Sequence, residues 1–362
     1  MTTKIEKTVY IIAEAGVNHN GSMIEALKMV DIARSCGADA IKFQTFISKK
    51  LTSEHALMAQ YQSVNTNNAY KNQLDMLSEL ELTKHEFRNL KKECESKGLD
   101  FIASPFDPNS LNFLLELNCK VIKFGSGEIT NLMSLLHAGR GQRNIIISTG
   151  MARLSEIEMA LAAISWGRFN SGFPSSSQDL MTEFWASYQK FKNDNFVTLL
   201  HCTSEYPAPN NELNLNAIQR LKSYFELPIG FSDHSIGHTA ALGAVAVGAK
   251  VLEKHFTLNK KANGPDHTAS MEPSEFKSFV MEIRQLENML GTGLKHPTLT
   301  ETKNILPARK SLFARNRIKK GDVIVSTAIE AMRPGSGKSA DRIFDVIGST
   351  ANQDYEIGDF IK

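Results

Sequence analysis

Two histidines and two lysines stand where short apolar segments end, and their types define the chemistry to look for. FSDHS places His234 after one such segment, and EKHF places His255 on the next. Neighbouring strands lie about 5 Å apart, so both imidazoles can reach one divalent ion. Two imidazoles completed by oxygen ligands and water leave open coordination positions, which suits Mn, Mg, Co or Zn acting on a carbonyl. Asp233, Glu253 and Asp266 lie nearby in the sequence. Either histidine alone reads as a structural side chain; the pairing is what points to a metal.

Lys42 and Lys123 raise a different question. An unpaired ammonium inside a barrel is costly, so inward lysines ask for an anion. The turns GSGE, with Ser126 and Glu128, and STG, with Ser148, add backbone N–H groups and hydroxyls. Together they form a pocket suited to phosphate and carboxylate. Ordinary tight turns are the plain alternative for these glycines, and a Schiff base on either lysine, as in class I aldolases, is a rival chemistry.

Repeating elements must carry these residues. Up to about residue 285, short Val/Ile/Phe-rich segments alternate with segments of helical periodicity, the signature of a parallel α/β architecture. Candidate strands are 8–14, 39–45, 100–104, 120–126, 144–150, 196–203, 227–232 and 250–256. Segments 23–37, 83–98 and 238–249 have the helical pattern, the first with a glycine after its last turn. Eight strand–helix units in roughly 250 residues predict a (β/α)8 TIM barrel, whose active sites lie at the C-terminal ends of the strands. An open doubly wound sheet is the alternative, but the Gly-rich first turn it uses is missing. Nearly every candidate strand ends in a polar residue: Glu14, Lys42 with Gln44, Ser104, Lys123 with Ser126 and Glu128, Ser148, His201 with Tyr206, Ser232 with His234, and His255. In a barrel these form one ring.

Residues 1–285 are therefore expected to form the barrel, 286–305 a polar linker and 306–362 a small β-rich domain broken by NRIKKGD, RPGSGK and YEIGD. Segment 165–195 reads as an extended loop or helix inserted before the sixth strand. The composition, 42% hydrophobic and 22% charged, is that of a globular protein, and a net charge of +2 without a long basic block argues against nucleic acid or a membrane surface as partner. No apolar run approaches the ~18–20 residues of a membrane span, and the N-terminus lacks a signal-peptide pattern, so a cytoplasmic location is expected. Cys36, Cys94, Cys119 and Cys202 lack metal-type spacing and read as free buried thiols.

The motifs AEAGVNHNG (13–21), KFQTF (42–46), ASPFD (103–107), IKFGSGEITN (122–131), ISTGM (147–151), HCTSEYPAP (201–209), GFSDHS (230–235), EKHFT (253–257) and GPDHTASMEP (264–273) occur in the order found in sialic acid synthases, and the chain resembles that family. Its C-terminal piece is similar to the family's antifreeze-like (SAF, β-clip) domain, with RPGSG (333–337) as the recognisable loop. The resemblance implies condensation of phosphoenolpyruvate with N-acetylmannosamine or a related 2-acetamido sugar, or with a 2,4-diacetamido-trideoxy sugar leading to legionaminic or pseudaminic acid. It implies that Lys42, Ser104, Lys123, Ser126, Ser148 and Ser232 hold phosphoenolpyruvate, that His234 and His255 bind a divalent metal, Mn2+ first with Mg2+ or Co2+ as others, and that Glu14 is the catalytic acid/base. Gln44, Glu128, Tyr206 and Asp266 would meet the sugar. Arg333 would reach the site from the partner subunit's small domain, making a domain-swapped homodimer. Ser204 departs from the asparagine of some sialic acid synthases, and the 165–195 insertion is associated with legionaminic acid synthases; both bear on the acceptor.

Overall fold

The computed structural model describes residues 9–67 and 69–362. The chain divides into two compact units, Met1–Gly291 and Thr292–Lys362. In the first, eight parallel strands close into a barrel in sequence order: β1 (Tyr10–Gly16), β2 (Ala40–Thr45), β3 (Asp100–Pro105), β4 (Val121–Phe124), β5 (Asn144–Ser148), β6 (Val197–Cys202), β7 (Ile229–Asp233) and β8 (Val251–His255). The expected strands all form, with their ends displaced by at most about two residues; Thr8, the start expected for the first, lies outside the described residues. β1 pairs with β8 from Tyr10↔Val251 to Glu14↔His255, which closes the cylinder.

Helices cover the outside: α1 (Met23–Cys36), α2 (Lys84–Ser96), α3 (Pro108–Glu116), α4 (Leu132–Arg140), α5 (Leu154–Phe169), α6 (Ser177–Asp194), α7 (Asn216–Phe225), α8 (Thr239–Ala246) and α9 (Pro273–Leu290). Their ends follow local chemistry. Ser22 caps α1 by accepting from the Glu25 N–H, and Gly37 ends it at φ 88°, a left-handed conformation that glycine adopts without Cβ strain. Thr83 and Glu86 form a reciprocal capping box on α2. The 165–195 insertion is the last turn of α5 followed by α6, which buries Leu180, Phe184, Tyr188 and Phe191 on the outer layer. α9 runs on to Leu290, so the first part of the expected connector continues the first unit, and the rest, from Thr292, falls in the small unit.

Inside the barrel, alternation decides which residues face the axis. Ile12, Ala40, Ile102, Ile146, Leu200 and Val251 form a buried apolar layer. One inward step further along each strand the residues turn polar: Glu14, Lys42, Ser104, Ser148, Cys202 and Glu253. The site therefore stands on a packed apolar floor.

The small unit pairs β9 (Ser311–Ala314) antiparallel with β10 (Ile329–Met332) and has its own core around Leu312, Ile318, Ile329, Tyr355 and Ile361. Isolated bridges such as Ile318↔Tyr355 hold the rest of its chain.

Leu200 has no exposed surface and its neighbours on the floor have nowhere to collapse. Leu200→Ala should lower barrel stability by about 2–5 kcal/mol, read as a lower denaturant midpoint.

Candidate active site

At the C-terminal end of the barrel lies a cavity of about 440 Å³ lined by Glu14, Lys42, Gln44, Ser104, Lys123, Ser126, Ser148, Tyr206, Ser232, His234 and His255 among others. The expected ring thus converges. Asp266 joins it from the loop after β8: a Cβ placed on Gly16 would lie 3.2 Å from Glu14 Oε1, 3.4 Å from Gln44 Nε2 and 3.6 Å from Asp266 Oδ2. Glu128 stays outside the lining and accepts from Asn131 Nδ2 at 2.8 Å. Arg333, on the small unit, is exposed and donates from Nε to the Ala308 carbonyl at 3.0 Å. His201 does not belong to the ring: it alternates with the inward-facing Leu200 and Cys202, so it points behind the strand, stacks 5.9 Å from Phe231 and contacts the Leu213 carbonyl at 2.7 Å.

Four charged side chains form the floor of the cavity, all buried. Lys42 Nζ lies 2.8 Å from Glu14 Oε2 and 3.6 Å from Glu253 Oε2, and Lys123 Nζ lies 3.6 Å from Glu253 Oε1. Hydroxyls complete the set: Lys42 donates to Ser104 Oγ at 3.3 Å, Lys123 to Ser148 Oγ at 2.8 Å, and Ser232 to Glu253 at 2.8 Å. Burial works against every charge here, and the outcome depends on partners. Burial would raise Glu253, but Lys123 and Lys42 outweigh it and hold the carboxyl down at about 2. Glu14 goes the other way: burial lifts it to about 7 against the pull of Lys42, with the negative charge of Glu253 adding to the rise. Lys42 is raised, since Glu14 and Glu253 more than offset its burial, whereas burial lowers Lys123. The floor holds one firmly ionised carboxylate and one carboxyl poised near neutrality, the setting for a proton donor or acceptor.

Above them the two imidazoles stand with ring centres 5.5 Å apart. His234 Nδ1 lies 2.7 Å from the Thr203 carbonyl, which fixes that nitrogen as the donor and leaves Nε2 with its lone pair directed inward, 3.2 Å from Ser232 Oγ. His255 Nδ1 is buried with no hydrogen-bond partner. Burial holds both neutral, His234 at about 4 and His255 well below its ordinary value. Tyr206 stacks on His234 at 4.1 Å and meets His255 edge-on at 5.4 Å. Neutral imidazoles with free lone pairs fit a cation; among the described residues no group of three or more His, Cys, Asp or Glu is arranged to hold one.

Beside Lys123, Gly150 allows the closest approach. Its N–H donates to Ser126 Oγ at 3.0 Å, and a Cβ there would lie 2.3 Å from Ser204 Oγ, 2.8 Å from Ser126 Oγ and 2.9 Å from Cys202 Sγ. All four cysteines are free and buried.

Sequence reasoning did not assign two features. Glu253 is two residues before His255 on the same strand, so strand alternation alone marks it as inward. Residues 46–82, between β2 and α2, bring Leu51, Tyr61, Gln62, Gln73 and Leu77 over the cavity. Tyr61 stacks on Tyr206 at 5.1 Å, and Asn65 Nδ2 donates to the Pro265 carbonyl at 2.7 Å. The unusual length of that connection was the available signal.

The sequence profile described as the NeuB family matches residues 29–295. The chain belongs to the NeuB family. The N,N'-diacetyllegionaminic acid synthase of Campylobacter jejuni is 42% identical over 98% of this chain and 99% of its own length, and the enzyme of the same name from Legionella pneumophila is 38% identical over 97% and 92%. Among solved structures, the N-acetylneuraminic acid (sialic acid) synthetase of Leptospira borgpetersenii in complex with citrate superposes with a TM-score of 0.68 at 35% identity, covering 82% of this chain and 90% of that one. The expected fold and activity class hold: the chain is a carbon–carbon bond-forming synthase of the nonulosonic (sialic) acid type on a (β/α)8 barrel. No described helix is long and apolar enough to cross a membrane.

His19, on the loop after β1, is buried beside Phe43 and is also held neutral. Its Nδ1 accepts from the Gly21 N–H at 3.1 Å, its Nε2 is buried without a partner, and burial lowers it from 6.5 to about 4. Because the unfolded chain binds this proton more readily, its contribution is complete above about pH 6.5 and is lost as pH falls toward 4, by about 1.4 kcal/mol per pH unit. Thermal unfolding measured across that window should show a shallower acid loss in His19→Asn than in the parent protein.

Proposed function

We propose that the enzyme condenses phosphoenolpyruvate with 2,4-diacetamido-2,4,6-trideoxymannose to give N,N'-diacetyllegionaminic acid and phosphate. The observation that carries this reading is the end-to-end identity to two synthases of that name, 42% and 38%. The cavity supports it in kind. Lys42 and Lys123, with Ser104, Ser126, Ser148 and Ser232, suit the phosphate and carboxylate of phosphoenolpyruvate. Leu51, Leu77 and Phe106 give the same cavity an apolar wall, fitting an acceptor that ends in a methyl rather than a hydroxymethyl group.

In the reaction, C3 of phosphoenolpyruvate bonds to the aldehyde carbon of the open-chain acceptor, water adds at C2, and cleavage of the C2–O bond releases phosphate. Gln44, Tyr206 and Asp266 orient the acceptor, and Glu128 completes its surroundings from outside the cavity lining. Glu14, near neutrality and beside Lys42, takes the proton from the incoming water. The proton it takes up then passes to the phosphate oxygen as the C2–O bond breaks, so one carboxyl serves first as base and then as acid. Holding both reactants over one floor makes their encounter effectively intramolecular.

A divalent cation on the lone pairs of His234 and His255, completed by oxygen ligands, would supply Lewis-acid polarisation of the acceptor's aldehyde. The donor set suits Mn2+, with Mg2+ or Co2+ as alternatives. The working enzyme is a domain-swapped homodimer in which the partner subunit's Arg333 enters each site, the small unit being of the antifreeze-like SAF type over 306–362. It works in the cytoplasm, where phosphoenolpyruvate is produced.

Phosphate release against a panel of acceptors should give the highest kcat/KM with the diacetamido sugar, fall to background after EDTA, and return with Mn2+. Preference for N-acetylmannosamine would refute the acceptor, full turnover after stripping would refute the cation, and a borohydride-trapped pyruvate adduct would favour the Schiff-base aldolase instead. Arg333→Ala should raise the acceptor's KM by about tenfold or more; an unchanged KM would remove that residue from the site.

A further inference from the structure

We infer that the buried ion pair of Asp233 and Lys254, on the outer face of β7 and β8, is a clamp that positions His234 and His255 for a divalent cation. The inference rests on the cation reading above. Both residues alternate with the inward-facing set, and neither lines the active-site cavity. They are cross-strand neighbours in register, and each directly precedes one of the two histidines.

The contacts form a ring around His234. Lys254 Nζ lies 2.9 Å from Asp233 Oδ2 and donates to the Ser235 carbonyl at 2.5 Å. Asp233 Oδ1 in turn accepts from the Ser235 N–H at 2.9 Å and from Ser235 Oγ at 2.6 Å. The residues on either side of His234 are thus both tied to the residue before His255. With both side chains 1% exposed, the desolvation of two charges offsets much of their attraction, so such a pair is a poor device for stability and a better one for fixing register.

His255 gives the clamp its task. His234 has a second restraint, the Thr203 carbonyl on Nδ1, whereas His255 Nδ1 has no hydrogen-bond partner. Ligating histidines are normally oriented by a hydrogen bond on their other nitrogen. Here no such bond sets the His255 ring, so its position depends on where the end of β8 is held, and the Lys254 side chain adds a tie from that end to Asp233 and Ser235 beyond the backbone pairing with β7.

The test is Mn2+ binding by protein stripped of metal, read from the free-ion electron paramagnetic resonance signal. The double variant Asp233→Asn/Lys254→Met removes the pair without stranding a charge, and should bind Mn2+ about 10–100-fold more weakly than the parent. Asp39→Asn, which breaks the Asp39–Arg284 pair (2.6 Å) at the other end of the barrel, should lose thermal stability with Mn2+ affinity unchanged. Should the double variant fail to fold, Ser235→Ala, which removes one strut and no charge, should weaken binding several-fold. Unchanged affinity in the folded clamp variants would overturn the clamp, as would an equal loss in Asp39→Asn, because the effect would then follow stability. If the parent protein binds no Mn2+, the cation reading falls and the clamp with it, a result distinct from the others.

Discussion

Two ammonium groups and two carboxyl groups are enclosed on top of an apolar floor, and the rest of the barrel mouth is arranged around the need to keep them matched. Any one of them alone would be prohibitive in that position. Lys42 touches both acids and Lys123 touches only Glu253, so the two carboxyls divide: Glu253 is shared and stays ionised, while Glu14 has one cation and a neighbour of like charge. One constraint thereby provides both a cationic bed and a carboxyl free to exchange a proton.

That arrangement depends on a register. Because side chains alternate along a strand, a slip of one residue would turn the inward polar residues out under the helices. The apolar layer of Ile12, Ala40, Ile102, Ile146, Leu200 and Val251 guards against a slip of two, since that would bring Glu14, Lys42 or Glu253 down into it. Folding energy and catalytic geometry are for this reason one specification. The outward pair Asp233–Lys254 extends it beyond the floor to the two strand ends where the imidazoles stand.

Much of this was legible in the sequence. The strand rhythm marked the barrel, and polar residues at strand ends marked Glu14, Lys42, Ser104, Lys123, Ser148, Ser232, His234 and His255, all of which line one cavity. His201 was misjudged because closeness to a strand end is a weaker criterion than parity: one residue off, it faces the helices. Glu253 was passed over for the converse reason, since parity marks it although it is not at the tip. The segment 46–82 was invisible to periodicity, being short helices gathered on a small cluster of their own, Phe46, Met76, Leu77 and Leu80 with Val17. The small unit was hardest of all, because it has few paired residues and its chain is held by isolated bridges that leave no repeating pattern.

The helix α6 lies on the outer layer, its buried face devoted to aromatic packing through Phe184, Tyr188 and Phe191. None of its residues lines the cavity. The turn before it, around Ser171–Pro174, is largely exposed and separates two helices that are each complete without it. That turn is a permissive junction: a fluorophore or affinity peptide spliced there would report on the enzyme, or tether it to a surface, while leaving its chemistry alone.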